Sequence, residues 1–406
     1  MESVRPLRLA LVAPPLERVP PRAYGGTERI VWELASELVR RGWDVTTFAT
    51  GDSEVPGTLV PTVPGALRPG GFGDDPSPWF IATLEAVLDR ASEFDLIHAH
   101  LEYWNLLLAR ISPVPVVGTF HSRLDDPASV QLLAGRPDGL VAISHSQANA
   151  HPEVAWTVIY NGLTLQGRPF QQHPGEDLCF VGRVEPEKGV IEAIEIAKRA
   201  DRKLRIAAKI GTTPEQQSFY EDVFLPALEA AGSNVEFLGE VGQDERDRLF
   251  AESYATLMPG AWPEPFGLVA IESLACGTPI IARRAGALPE IIRDGVDGFF
   301  GDDEQHMAFL VERAGTLDRA SIRASVVERF SASRMTDGYE ALYARMTRRS
   351  GRLDGLMPLE ATGGAPSIAG DGSTDGGQPK PTEADAPKGN GAPDPELVPQ
   401  DPNAGG

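Results

Sequence analysis

The chain has 406 residues, of which 42% are hydrophobic and 23% charged, and a formal net charge of −21. That length exceeds one ordinary core and favours two globular domains with additions. An acidic surface repels phosphate backbones and anionic lipid, which excludes nucleic acid as a natural partner and disfavours a polybasic membrane anchor.

Taken in chain order, the apolar stretch in MESVRPLRLALVAPP is too short for a signal peptide, so the expected location is cytoplasmic. LRLALVAP (about 8–14) reads as a buried strand, Glu28–Arg41 as an amphipathic helix and DVTTFAT as a second strand. Gly51 to Pro78 is rich in Gly and Pro and is predicted to be one long surface loop. FDLIHAH (94–100), VPVVGTF (114–120) and GLVAIS (139–144) read as further buried strands. Continuous apolar strands joined by crossover helices predict a parallel sheet covered on both faces. Near VIYNGL (158–163) the rhythm breaks into QGRPFQQHPGEDL, an expected linker. It restarts with DLCFVGR (177–183), a helix from about Gly189, then LRIAAKI (204–210), NVEFLGE (234–240), YATLMPG (254–260) and TPIIARR (278–284).

The expectation is an α/β protein of two Rossmann-like domains, 1–165 and 166–332, facing each other across a cleft. Open parallel sheets bind ligands beyond the carboxyl ends of their strands. No run of 18 apolar residues occurs, so no membrane-spanning helix is predicted. Arg345, Arg348, Arg349 and Arg352 form one small basic patch, which leaves weak peripheral membrane contact open. Residues 351–406 contain no aromatic residue and nine acids against three bases, amid much Gly and Pro. Such a segment cannot bury enough apolar surface to offset its ordering entropy and is predicted to be a disordered tail. Cys179 and Cys276 each lie in an apolar run and are expected as buried small hydrophobes; nothing in the sequence resembles a metal site.

Four motifs can carry chemistry. Tyr24-Gly25-Gly26-Thr27-Glu28-Arg29 stands between the first strand and first helix, where glycines admit a ligand to the backbone and a helix start offers N–H groups to an anion. It is not a dinucleotide fingerprint, and a plain turn capped by Thr27 is an equal reading. His98, His100 and His121 follow strands, at positions that open onto the predicted cleft or serve structure. Ser122 and Ser144-His145-Ser146 also follow strands, but no acid at a readable spacing makes a hydrolase triad, and G-x-S-x-G is absent. Val181 to Gly189, VGRVEPEKG, is a strand-turn-helix carrying Arg183 and Lys188; a planar fork and a point charge both suit a diphosphate. The fourth, PEPFGLVAIES (263–273), sets Glu264 before a helix start and Glu272 eight residues later in an apolar run. Buried acids are rare without a partner. Eight residues of helix would rise about 12 Å, roughly the reach from a sugar to the ribose of a nucleoside diphosphate, with the helix start between the acids available to phosphates.

With these residues, the chain from about 7 to 349 resembles glycosyltransferase family 4, the retaining enzymes of the GT-B fold. The likeness rests on E-P-F-G-L-V-A-I-E followed by Ala-Cys-Gly-Thr-Pro, the family's E-x7-E element. Gly25-Gly26, Thr119–His121, VGR at 181–183, EKG at 187–189 and NGL at 161–163 support it. The resemblance implies that Arg183 and Lys188 hold the donor diphosphate, Glu264 the hydroxyls of the transferred sugar and Glu272 those of the ribose. Phe266, Gly267 and Leu268 would line the sugar and phosphates with backbone, Gly25 and Gly26 would approach the diphosphate from the opposite domain, and His121 would face the sugar or acceptor. It further implies a crossover helix at 333–350 packing on the first domain. The implied partners are a nucleotide sugar of the uridine- or guanosine-diphosphate type and an acceptor, with no cofactor and no metal. One departure stands out: the family has Asp after the N-G-hydrophobic triplet, and this chain has Thr164. A nucleotide-sugar 2-epimerase of the same fold and a catalytically inactive sugar-nucleotide-binding protein remain the rival readings; a phosphorylase would need a lysine site for pyridoxal phosphate, and none is evident.

Overall fold

The computed structural model describes residues 7–22, 25–70, 75–135, 138–173 and 175–349. The segment 351–406, predicted to be a disordered tail, lies outside the described residues.

Thirteen strands are described: β1 Arg8–Val12, β2 Asp44–Thr50, β3 Thr58–Val63, β4 Leu96–Ala99, β5 Val116–Phe120, β6 Leu140–Ala142, β7 Thr157–Val158, β8 Leu178–Arg183, β9 Leu204–Lys209, β10 Val235–Gly239, β11 Ala255–Met258, β12 Ile280–Ala282 and β13 Gly298–Phe300. They form two sheets, ordered β3-β2-β1-β4-β5-β6-β7 and β10-β9-β8-β11-β12-β13. Every pairing in both is parallel. The strands that read as continuous apolar runs lie in the middle of the sheets: Leu9, Leu11, Val117, Leu178, Ile206 and Leu257 expose essentially nothing, as expected where helices cover both faces.

One expectation fails. Gly51–Pro78 is not a single loop, because Thr58–Val63 runs parallel to β2 as the edge strand β3. The strand is half exposed and contains Pro61, a residue that sheets accept at an edge, where a missing N–H costs no ladder bond. The same segment ends in the helix Ser77–Arg90, which opens with Pro78 in its first turn. The first helix is also longer at its start than expected. It spans Gly26–Arg40 with Gly25 as N-cap, so Thr27 lies inside the helix and caps nothing.

Two chain crossings join the halves. Leu163 N donates to Phe330 O at 3.0 Å and Ala332 N to Leu163 O at 2.9 Å, so the outgoing and returning segments are laced together. The returning segment becomes the helix Ala332–Arg349, which packs on the first domain. Tyr339 and Tyr343 are fully buried beneath it. Tyr343 Oη lies 2.7 Å from His98 Nδ1, and Tyr339 Oη 3.0 Å from Thr119 Oγ1. Trp43 Nε1 donates to Glu340 at 2.7 Å, while Arg41 reaches Asp337, Glu340 and Ser333. One hydrophobic cluster therefore runs from Leu9 and Leu34 through Phe266 and Ile271 to Phe330 and Tyr343. Tyr343→Phe removes only the hydroxyl but leaves His98 Nδ1 without its partner. It should cost about 1–3 kcal/mol, read as a lower urea midpoint with unchanged m-value; an unchanged midpoint would show that the bond contributes nothing.

No helix among the described residues is long and apolar enough to cross a membrane. Of the four arginines in the basic patch, Arg345 donates to Thr157 Oγ1 at 3.3 Å, and Arg352 lies outside the described residues. Both cysteines are buried and free.

Candidate active site

The segment after β1 on one side and the C-terminal ends of β8 and β9 on the other border one space. Between them a cavity of about 100 Å³ is lined by Gly25, Gly26 and Arg29 from the first half and by Val181, Gly182, Arg246, Leu268 and Glu272, among others, from the second. The starts of the helices Gly26–Arg40 and Leu268–Ala275 abut across it: a Cβ on Gly26 would lie 3.4 Å from Leu268 Cδ1. Two helix N-termini thus converge on one space, a natural place for anionic oxygens.

Gly267 has φ 104°, a left-handed conformation suited to glycine, and it starts the Leu268–Ala275 helix abruptly after the Pro263–Phe266 loop. Glu264 therefore precedes the helix, and only the stretch from Leu268 to Glu272 is helical. The expectation of eight helical residues and about 12 Å of rise between the two acids is replaced by a loop followed by roughly 6 Å of helix. Glu264 Oε1 lies 2.5 Å from Lys188 Nζ, both side chains being mostly buried. A close backbone approach makes that pair possible. Gly189, at φ 76°, sits where a Cβ would be 2.6 Å from Gly260 N, so the VEPEKG turn lies directly against the loop after β11. Trp262 lies beneath, with Lys188 Nζ 5.6 Å and Arg123 4.3 Å from its ring centroid.

Arg183 bonds Glu185 at 2.5 Å and lies 3.9 Å from Glu187. Burial raises the carboxyl of Glu185, and the charges of Arg183 and Lys188 oppose that rise. The two predicted cations are thus held by different acids, Arg183 by Glu185 and Lys188 by Glu264. A diphosphate entering here would compete with Glu185 and Glu264 for them.

The histidines divide. His98 is wholly buried, with Tyr343 on Nδ1 and Thr119 Oγ1 2.8 Å from Nε2, so it anchors the last helix and does not open onto the cleft. His100 is also buried and meets His121 Nε2 through Nδ1 at 2.9 Å. His121 is half-buried, its backbone N–H donating to Glu102 at 3.0 Å. Burial pushes the His121 imidazole down to about 3, so it is neutral near pH 7 and can serve as a hydrogen-bonding group, not as a cation. Burial pushes the Glu102 carboxyl up to about 7; Glu102 has φ 53°, in the left-handed region.

The chain is similar to known proteins along most of its length. Residues 24–166 match the model for Glycosyltransferase Family 4, and residues 168–314 match that for Glycosyl transferases group 1. The chain belongs to glycosyltransferase family 4. It is 29% identical over 335 residues to a glycogen synthase of Mycobacterium tuberculosis, covering 69% of this chain and 79% of that one. It is 27% identical over 385 residues to a D-inositol 3-phosphate glycosyltransferase of Mycobacterium leprae, covering 79% and 88%. Among solved structures it resembles AviGT4, a glycosyltransferase involved in avilamycin A biosynthesis, with a TM-score of 0.64, 24% identity and coverage of 84% of this chain and 98% of that one. It also resembles Anabaena Alr3699/HepE in complex with UDP and glucose, with a TM-score of 0.64, 19% identity and coverage of 83% and 99%. The fold is GT-B, and the protein is a glycosyltransferase.

The cavity also takes in Arg246 and Arg29, to which the sequence alone assigned no role. Arg246, in the helix Gln243–Glu252, donates to Glu272 Oε1 at 2.9 Å. Burial would raise the Glu272 carboxyl, but Arg246, then Arg29 and Arg168, outweigh it and hold the group below the usual carboxylate range. Arg29 crosses from the first half to bond Gln243, and Arg168 pairs with Asp247 at 2.6 Å. Ser144 Oγ donates to Pro265 O at 2.7 Å, and Glu290 accepts from the backbone of His145 and Ser146, so the Ser-His-Ser stretch joins the halves. The departure at Thr164 also has a physical answer: Glu33 of the first helix accepts from Thr164 N at 2.9 Å and from its hydroxyl at 2.6 Å. A carboxylate is present at the linker, supplied by another element. Among the described residues no group of three or more His, Cys, Asp or Glu could hold a metal ion.

Proposed function

We propose that this glycosyltransferase moves a hexosyl group from a nucleoside diphosphate sugar to an acceptor hydroxyl, with retention of anomeric configuration and without a metal. The observation that carries this reading is the helix that starts at Leu268: it abuts Gly26 of the first half, Glu264 paired with Lys188 precedes it by four residues, and Glu272 lies farther along it in the cavity lining. Breaking the bond from the anomeric carbon to the diphosphate oxygen leaves that oxygen with new negative charge. Lys188, Arg183 and the helix N-termini would stabilise it as preorganised groups. The acceptor oxygen bonds to the anomeric carbon on the face the diphosphate leaves, and the departing phosphate oxygen takes the acceptor's proton. No protein nucleophile is required. Glu264 would hold hydroxyls of the moving sugar, Glu272 the ribose, and neutral His121 the sugar or acceptor from the first domain. The phosphate and sugar would also meet the backbone of Phe266, Gly267 and Leu268, with Gly25 and Gly26 closing from above.

The donor class fits the ligands named for similar folds, among them UDP, UDP-glucose and, for a starch synthase IV catalytic domain, ADP. The test is release of nucleoside diphosphate from a panel of UDP-, GDP- and ADP-sugars, each run with and without excess EDTA. Release by one donor, unchanged by chelation, is expected. Activity abolished by EDTA and restored by magnesium or manganese would overturn the metal-free step. An inverted anomeric proton coupling in the product would overturn retention.

A further inference from the structure

We infer that Arg246 and Arg29 are positioning residues of the nucleotide site, which hold Glu272 as an aimed, ionised acceptor and make ribose recognition a property of both domains. The inference rests on the reading of Glu272 as the ribose-binding acid. A vicinal diol offers two O–H donors, so its partner must be acceptor-only, which a carboxylate is and a protonated carboxyl is not. Glu272 exposes only 3% of its surface, and burial of that degree favours the neutral acid. Two observations explain how it stays charged and oriented.

The first is direct. Arg246 Nη2 donates to Oε1 at 2.9 Å between two buried side chains, which restrains the carboxylate beside the cavity that Glu272 lines. The second crosses the cleft. Arg29, 7% exposed and carried by the helix Gly26–Arg40, lines the same cavity and bonds Gln243 at the start of the helix that bears Arg246. Its charge acts on Glu272 from the opposite domain. Arg168, the third cation near, is committed to Asp247. The ribose acid is therefore prepared by its own domain and completed by the other.

The test compares ligands, because a fold defect weakens all of them alike. Whichever of UDP, ADP and GDP binds the unaltered protein most tightly is titrated by calorimetry beside its 2′-deoxy and 3′-deoxy counterparts. The unaltered protein should prefer the ribose form by about tenfold or more, the scale of a hydrogen bond to a charged group. In Arg246→Leu that preference should collapse toward one, and in Arg246→Lys it should be partly kept, since the charge remains and the fork does not. Arg29→Leu should also narrow it. Should Arg246→Leu weaken ribose and deoxyribose forms equally, or should either Leu variant keep the full preference, the inference is overturned. Glu272→Ala separates the two levels. Loss of the preference there with its retention in Arg246→Leu sinks the inference alone, whereas no effect of Glu272→Ala, or no nucleotide bound at all, sinks the ribose assignment beneath it as well. If Arg246→Leu does not fold, Arg246→Lys and Arg29→Leu decide between the same outcomes.

Discussion

Replacing Lys188 with alanine is expected to lower turnover by roughly 10²–10³-fold, the loss seen when one preorganised stabiliser of developing charge is removed. The ammonium is held in place before any substrate binds. Glu264 grips it at 2.5 Å, the Gly189–Gly260 contact fixes its turn, and the Trp262 ring lies beneath it. Arg183, held by Glu185, would make its own contact with the diphosphate and would not stand in for the ammonium. Binding of free nucleoside diphosphate should weaken in the same variant, since the charge that Lys188 meets is present in the product too. Steady-state turnover and calorimetry with the diphosphate alone measure both effects. Lys203→Ala is the control: that lysine pairs with Glu236 on the surface and should change neither. Full turnover in Lys188→Ala would remove the ammonium from the mechanism.

The parts of this architecture that were legible in the sequence are those governed by short-range rules. Parallel strands buried on both faces leave apolar runs such as LRLALV and LRIAA, and these became β1 and β9. An edge strand carries no such mark. Thr58–Val63 is half exposed and contains a proline, so its composition is that of a loop, and only its pairing with β2 makes it a strand. The β13 strand, Gly298–Phe300, is another edge strand, flanked by Asp and Gly with no apolar run around it. In the site, Glu264, Glu272, Arg183 and Lys188 stood out because they sit in distinctive strings. Arg246 did not, because an arginine in the first turn of a polar helix looks like a solvated surface charge until the tertiary fold buries it; Arg29 was visible only as the end of the Gly25-Gly26 motif, with no role attached. His98 shows the converse: its strand-end position suggested the cleft, but Tyr343, 245 residues later in the chain, claims it for the last helix. A substituted carboxylate, Glu33 facing Thr164, is invisible to any motif, since the motif records where an acid usually comes from and not where its charge is needed.

The two glutamates should fail in different ways. Glu264→Gln keeps size and hydrogen-bonding capacity at the sugar end but removes the charge that pairs with Lys188. Turnover should fall, while affinity for free nucleoside diphosphate should hold or rise slightly, because the lysine no longer divides its charge between a carboxylate and the phosphates. Glu272→Ala removes an ionised group from a site where Arg246 and Arg29 have kept it charged. Free nucleotide should bind more weakly by roughly 1.5–3 kcal/mol for the lost charge-assisted hydrogen bonds, and the loss should be the same whichever sugar is attached. The buried Arg246 then also lacks its partner, so part of the cost would fall on stability, about 3–5 kcal/mol at the upper end for a broken buried pair. Calorimetry with nucleoside diphosphate alone, on both variants and beside their urea midpoints, separates ligand from fold. Equal weakening of the nucleotide by both changes, or none from Glu272→Ala in a folded protein, would return the pair to structural acids. A loss confined to Glu272→Ala would mean that the nucleotide is recognised at the far end of the helix whose start receives the leaving group.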